Sequence, residues 1–412
     1  RMRPPRLLYP ARRALRAFSS EPAAALPERV QTVVVGGGII GASTAYHIAK
    51  AGGDVLLLER DTLTSGTTWH AAGLMVTFGS LSSTSTWMRQ HSKELYSKIL
   101  EEETGMSTGF APVGFIELAA DRDRLEEYRR IAAYNRLCGV DVHEIGPSQV
   151  QKLFPLCRVD DIHAGFYVPD DGRVNPVDAT MALARGARIY GATVVEGVEV
   201  TEVLKKPGAG RARAAGVKTA CGQTVEAEAV VNCCGMWARQ LGALHGVSVP
   251  NQAAEHYYLI TDAMPEVDPS WPVIEDPSSH AYIRPEGGGL MVGLFEPEPA
   301  AWSLDEPIPR DASFLSLDPD MDRIAPFLEK AIARVPAAEG AGMKTLFCGP
   351  ESFTPDGGPV LGEAPELPGY YVAAGMNSIG ILTGGGVGAL MAKWVLAGGE
   401  RPADLDVTGV QI

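Results

Sequence analysis

The chain has 412 residues, 45% hydrophobic and 21% charged, with a formal net charge of −14. That length exceeds one ordinary hydrophobic core, so two domains or one elaborated α/β unit are expected, and the composition excludes a disordered or fibrous chain. The acidic balance argues against nucleic acid or anionic membrane as a partner, and no run of 18 apolar residues is free of polar or glycine interruption, which argues against a membrane span.

Residues 1–20 carry six arginines (Arg1, Arg3, Arg6, Arg12, Arg13, Arg16) and no acid, and end in Phe18-Ser19-Ser20. This is the composition of a mitochondrial transit peptide, the alternative being a basic tail. Residues 21–30 read as a linker. Val33-Val34-Val35 is a buried parallel strand, a helix follows from Ile40 to Ala51, and a second strand, Val55 to Leu58, ends at Glu59. Gly36-x-Gly38-x-x-Gly41 lies between the first strand and the helix, and Glu59 follows Gly41 by 18 residues. Gly36 makes the tight turn, Gly38 admits a pyrophosphate to the helix N-terminus, Gly41 lets helix and strand pack, and Glu59 can accept the ribose hydroxyls. The motif identifies a dinucleotide site and serves NAD and FAD alike; Arg60 after the acid leans towards FAD.

His70 follows in Thr64-Ser65-Gly66-Thr67-Thr68-Trp69-His70. The chain there runs back along the cofactor, with Gly66, Thr67 and Thr68 near the phosphates, and a neutral imidazole can bond to the 8α-methyl of a flavin, fixing it and raising its potential. Helical patterning covers Thr86 to Glu103 and Leu125 to Leu137, with the strand Gly114 to Leu118 between them. Val194 to Val203 and Thr224 to Asn232 read as strands of the nucleotide domain. His256 to Thr261, Ala281 to Arg284 and Leu290 to Leu294 read as an antiparallel sheet, and residues 296–320 as a surface wrap. Tyr370 to Ala374 is a strand leading to a helix, Val387 to Leu396, with Gly384 to Gly386 at its opening. Cys138, Cys157, Cys221, Cys233, Cys234 and Cys348 show no disulfide or zinc spacing, and the vicinal Cys233–Cys234 pair reads as packed thiols. No grouping suggests a metal site.

Four segments carry a family resemblance: Leu63 to His70, Asn232-Cys233-Cys234-Gly235-Met236-Trp237-Ala238, Cys348-Gly349-Pro350-Glu351-Ser352-Phe353-Thr354-Pro355-Asp356, and Gly375-Met376-Asn377-Ser378 with Gly384 to Gly386. Over about residues 31 to 405 the chain resembles the sarcosine and dimethylglycine dehydrogenases of the D-amino-acid-oxidase-like superfamily, more the former. The resemblance implies an α/β fold with a discontinuous FAD-binding Rossmann-type domain (31–85, 170–250 and 340–405) and an antiparallel-sheet substrate domain (86–169 and 251–339). It implies covalent FAD on His70, with Gly36, Gly38, Ile39, Ile40, Gly41, Glu59, Arg60, Gly66, Thr67, Thr68, Trp69, Val200 and Trp237 around the cofactor. Asn377, Ser378, Ile379, Gly380, Ile381 and Leu382 would run along the flavin ring, near the positive end of the following helix.

His256 and Tyr282 match positions that face the flavin in related dimethylglycine oxidases. There they would orient the amine and accept a proton; the alternative for each is a structural residue. Arg284 could hold the substrate carboxylate through its planar fork, or form a strand-end ion pair. Leu382 stands where simple bacterial sarcosine oxidases have a lysine for oxygen chemistry, which favours a dehydrogenase passing electrons to an electron-transfer flavoprotein in the mitochondrial matrix. The family's folate-binding domain would begin near Ile412, where this chain ends, so tetrahydrofolate as a second cofactor is in doubt. The expected reaction is oxidative demethylation of sarcosine to glycine and formaldehyde or a folate one-carbon unit. Dimethylglycine is the alternative substrate. A regulatory flavoprotein like the pyruvate dehydrogenase phosphatase regulatory subunit, which lacks the flavin-linking histidine, is the alternative class.

Overall fold

The computed structural model describes residues 25–410 and 412; the transit-peptide segment and residues 21–24 of the linker lie outside the described residues. Two eight-stranded sheets organise the chain. In the first, Arg29–Val35 is central, parallel to Thr224–Asn232 on one side and to Val55–Leu58 on the other, with Thr193–Val195 beyond. Tyr370–Ala374 adds in parallel to Thr224–Asn232, and Val360–Glu363 closes that edge antiparallel. Both faces of the central strand are apolar because both are covered, as a parallel sheet requires. Val34, Leu57 and Val231 pack under the helices, whereas Val33, Val35 and Val230 face the antiparallel strands Val200–Lys206 and Arg213–Thr219.

The helix Ile39–Lys50 starts one residue before the expected Ile40 and lies against Pro176–Ile189 and Gly380–Leu396. The last of these departs from expectation. It begins at Gly380 rather than Val387, so Gly384, Gly385 and Gly386 lie inside it and are fully buried. Their missing side chains are contact surface: a Cβ on Gly386 would fall 2.3 Å from Cα of Met88, and one on Gly385 2.8 Å from Cα of Ser92. The triple glycine therefore lets this helix cross Ser83–Glu94 at backbone distance, and the helix end expected beside the cofactor belongs to Ile379–Ile381.

The second sheet runs Met343–Phe353, Gln252–Thr261, Gly289–Leu294, Ala281–Glu286, Val273–Asp276, Phe115–Ala119, Ala164–Val168, His143–Ile145. It is antiparallel except where Val273–Asp276 and Phe115–Ala119 pair in parallel. The strand Met343–Phe353 belongs to this sheet although it lies within the stretch 340–405 expected in the nucleotide domain. Residues 302–315 lie over the first cavity described below: Phe314 N donates to the Ser65 carbonyl at 2.8 Å, and Trp237 Nε1 to that of Pro309 at 3.2 Å. Among the described residues no helix is long and apolar enough to cross a membrane.

Candidate active site

A cavity of about 330 Å³ opens at the C-terminal edge of the parallel strands. Gly36 has φ of +108°, and a Cβ on it would meet the Cys233 carbonyl oxygen at 2.5 Å, so only glycine makes this turn. Gly41 is not on the wall. It packs the helix on the turn, since its Cβ would be 1.9 Å from the Gly36 carbonyl oxygen. Gly38 is the N-cap and brings no side chain to the helix start, so beyond the Ile39 N–H the first-turn amides are left to a ligand. Thr68 Oγ1 accepts from Ile39 N at 3.1 Å, tying the His70 segment to the helix start.

Glu59 accepts from Gly37 N at 2.6 Å and from Asp61 N at 2.9 Å, and burial pushes its carboxyl above the ordinary range. The Arg60 guanidinium lies 4.1 Å from the Trp237 ring centroid at the mouth. Ile39, Ile40, Gly66, Thr67 and Val200 complete the near walls, with Ser378, Gly380 and Ile381 at the far end. A trough with a glycine floor, a helix start whose N-cap has no side chain and an acid at its side fits FAD.

A second cavity, about 360 Å³, lies between this trough and the second sheet, and Ala71, Glu351, Ser378 and Ile381 line both. His70 is on the wall of the second cavity, at the end of the 3₁₀ turn Thr68–His70. Its ring leans on Phe347, centroids 5.0 Å apart, and Trp69 meets it edge-on. Burial pushes its pKa down to about 4, so the imidazole is neutral with a free lone pair at physiological pH. Trp69 lines neither cavity; it wedges between His70, Phe314 and Phe347.

The sheet registers one cross-strand row on the cavity wall: Phe347, Tyr258, Gly293, Tyr282, Glu275, Glu117. Tyr282 rests on the bare backbone of Gly293, and burial pushes its phenol upward, keeping it protonated as a donor. His256, one turn of the pleat from Tyr258, lines the same cavity, and among the described residues its ring makes no hydrogen bond, unlike a backbone-satisfied core histidine. Ile379 and Leu382 face this second cavity, whereas Asn377 lies off both walls. Asn377 holds the turn in shape with φ of +49°, accepting from Thr354 N at 2.8 Å and donating to the Gly375 carbonyl at 2.7 Å.

Arg284 is not at the cavity: its Nη1 donates to Glu286 at 2.5 Å and to the Pro285 carbonyl at 3.1 Å. Two arginines are on the wall: Arg124, paired with Glu127 at 2.7 Å, and Arg89, whose Nη1 donates to the Phe78 carbonyl and whose Nε is buried with no hydrogen-bond partner among the described residues. Arg89, Glu117, Glu275 and Glu351 are not among the site residues the sequence singles out. Two leave a signal there: Glu351, inside the family-like segment Cys348 to Asp356, and Glu117, a carboxyl in the middle of the apolar strand Phe115–Ala119.

The sequence model of the family described as FAD dependent oxidoreductase matches residues 31–394. Mitochondrial sarcosine dehydrogenase of Homo sapiens is 39% identical over 95% of this chain and 42% of its own length. The mitochondrial pyruvate dehydrogenase phosphatase regulatory subunit of Mus musculus is 37% identical over 93% of this chain and 43% of its own. The chain thus spans less than half the length of these curated relatives. The crystal structure of L-proline dehydrogenase from P. horikoshii superposes with a TM-score of 0.80 at 26% identity, covering 91% of this chain and 96% of that one.

Proposed function

The chain belongs to the FAD-dependent oxidoreductase family and is related to the sarcosine dehydrogenases, and from that premise we propose that it oxidatively demethylates a small N-methylated amino acid, with sarcosine the expected substrate. The observation that carries this reading is the junction of the two cavities: Ala71, Glu351, Ser378 and Ile381 are shared walls, and His70, His256 and Tyr282 stand beside them. Bound flavin supplies the two-electron acceptor. Neutral His70 is the proposed point of covalent attachment, and the Ile39–Lys50 helix start with Glu59 holds the pyrophosphate and ribose.

Arg89 replaces Arg284 as the group for the substrate carboxylate, because Arg89 is on the cavity wall with its Nε buried and unpartnered, whereas Arg284, whose Nε is unpartnered as well, lies off the wall and is paired with Glu286. His256 and Glu351 hold the amine nitrogen, which must be unprotonated when its methyl carbon loses hydride, and Tyr282 donates a hydrogen bond to orient it. The resulting iminium takes up water and yields the demethylated amine, formaldehyde and a proton. Formaldehyde leaves free or is captured on tetrahydrofolate; electrons pass to an electron-transfer flavoprotein in the mitochondrial matrix, a location supported by the relatives' names and the composition of residues 1–20. In the proposed division, 31–85, 170–250 and the chain after Phe353 form the FAD-binding unit, and the second sheet forms the substrate unit.

The test is anaerobic mixing of the purified flavoprotein with sarcosine and, separately, dimethylglycine. Bleaching by sarcosine is expected; flavin that no N-methyl amino acid bleaches overturns the enzyme reading in favour of a regulatory flavoprotein. After acid denaturation flavin fluorescence should stay with the polypeptide, and His70→Ala should release it. Attachment that survives in His70→Ala places the link elsewhere.

A further inference from the structure

The far end of the second cavity holds charged groups for which the reaction above has no use. Glu117 and Glu275 are register partners on adjacent parallel strands, and both line the cavity with Arg89 and Tyr128. The Tyr128 hydroxyl donates to Glu117 at 2.7 Å. Two carboxylates in contact within an apolar wall cannot both ionise, so the pair holds one proton between them and one negative charge opposite Arg89. Burial and the charge of Glu275 push Glu117 well above the ordinary carboxylate range, and burial pushes Glu275 up as well.

Every element packed here contributes to that balance. The helix Ser83–Glu94 brings Arg89, and Lys93, which pairs with buried Asp171 at 3.2 Å. The helix Arg122–Leu137 brings Tyr128 and the Arg124–Glu127 ion pair at the cavity's rim. The neighbouring strand brings Tyr282, a neutral phenol. One buried cation thus faces one shared negative charge, and a second anion docking on Arg89 would leave the cluster with an excess negative charge in a low dielectric.

We propose that the Glu117–Glu275 pair takes up a proton as a substrate carboxylate docks on Arg89, and that in the reaction this is the proton leaving the substrate's ammonium group. The inference rests on the reading that an amino acid binds here carboxylate-first towards Arg89. The bookkeeping is closed: one N–H bond of the ammonium breaks, one O–H bond forms on the carboxyl pair, and no electrons change hands. The nitrogen is left neutral, its lone pair available as the methyl carbon gives up hydride, and the carboxylate–Arg89 contact itself drives the transfer. The cavity thereby selects the zwitterion, the abundant form of an amino acid at neutral pH, and converts it to the reactive amine.

Methoxyacetate, in which an ether oxygen replaces the amine, separates the two ideas, because it has the carboxylate and no ammonium proton to give. Its binding to the FAD-loaded protein, followed by the flavin spectrum and by calorimetry at pH 7.5 in two buffers of different ionisation enthalpy, should take up about one proton per ligand from solution. The double variant Glu117→Gln/Glu275→Gln should still bind methoxyacetate but take up none, whereas either single Gln variant, which keeps the charge of the half-protonated pair, should still take up about one. With sarcosine, flavin reduction per unit concentration should be flat from about pH 7 to 9 in the native protein and rise about tenfold per pH unit in the double variant, which must wait for the free base. Binding of methoxyacetate with no proton uptake, or a double variant whose pH profile tracks the native one, overturns the inference while leaving the demethylase reading intact. Proton uptake on methoxyacetate without bleaching by sarcosine does the reverse.

Discussion

Gly293 stands between Tyr258 and Tyr282 in the cavity wall, and its missing side chain is where the Tyr282 ring lies: a Cβ there would be 1.8 Å from the ring's Cζ. Gly293→Ala must therefore rotate Tyr282 out of its pose while touching nothing in the flavin trough. The expected result is normal flavin absorbance, an overpacking loss of about 1–3 kcal/mol in unfolding free energy, and at least a tenfold fall in the rate of flavin reduction by sarcosine. Native reduction kinetics in this variant would remove Tyr282 from the orienting role. At this scale the sequence was informative where a motif fixed a residue and silent where tertiary pairing did. His70, His256 and Tyr282 come to one cavity, as their motifs suggest. Arg284 does not, because Glu286, two residues on and so on the same side of its strand, takes the guanidinium. Arg89 reads as an ordinary charge on an amphipathic helix, and Glu351 as one residue of a family-like segment with no role of its own; only the folding of a helix and a strand around one cavity distinguishes them.

The helix Gly380–Leu396 shows the same limit for an element. A run of three glycines costs a helix about 1 kcal/mol per residue relative to alanine, and on that ground the sequence places the helix start after Gly386. Close crossing overrides the propensity, because Gly384 meets Ile39, Gly385 meets Ser92, Gly386 meets Met88 and Gly388 meets Ser43. The βαβ unit, by contrast, was legible in its helix and second strand nearly to the residue, since period, turn glycines and terminal acid agree there; its first strand begins at Arg29, inside the stretch read as linker. A sign test follows at Gly386. In an isolated helix Gly386→Ala would stabilise; here the added Cβ falls 2.3 Å from Cα of Met88 and 2.6 Å from its carbonyl oxygen. The variant should unfold at a lower temperature, by about 1–3 kcal/mol of overpacking. Because Met88 adjoins Arg89, methoxyacetate affinity should fall with it. A raised melting temperature would mean that the crossing is not as close as described.

For the molecule as a whole, the helix that opens on the nucleotide trough is joined to the helix that carries Arg89 by a histidine pair. His47 Nδ1 donates to the Ser43 carbonyl at 2.8 Å, which leaves its Nε2 as acceptor, 3.1 Å from Nε2 of His91. The contact holds one proton between two rings and has no place for a second. Burial and the neighbouring His91 push His47 down to about 3, and burial lowers His91 as well. A group whose folded pKa lies below its unfolded value of about 6.5 contributes stability that is complete above that value and lost as the pH falls towards the folded one, because the unfolded chain then binds more protons. The buried carboxyls Glu59, Glu117, Asp171 and Glu275 are shifted upward and act in the opposite sense, their contribution being present below about pH 4.5 and fading as the pH rises. The total pH profile therefore mixes two opposed trends, and only a difference between variants isolates the histidines. With His47→Gln and His91→Gln combined, the native protein's stability relative to the variant should shrink steadily from pH 6.5 to pH 4, by at most about 1.4 kcal/mol per pH unit for each histidine, and be constant above pH 7.5. Thermal unfolding followed by tryptophan fluorescence at half-unit pH steps measures it. Parallel curves across that window would mean that the pair is protonated without cost, and that acid does not separate the helix Ile39–Lys50 from the helix Ser83–Glu94.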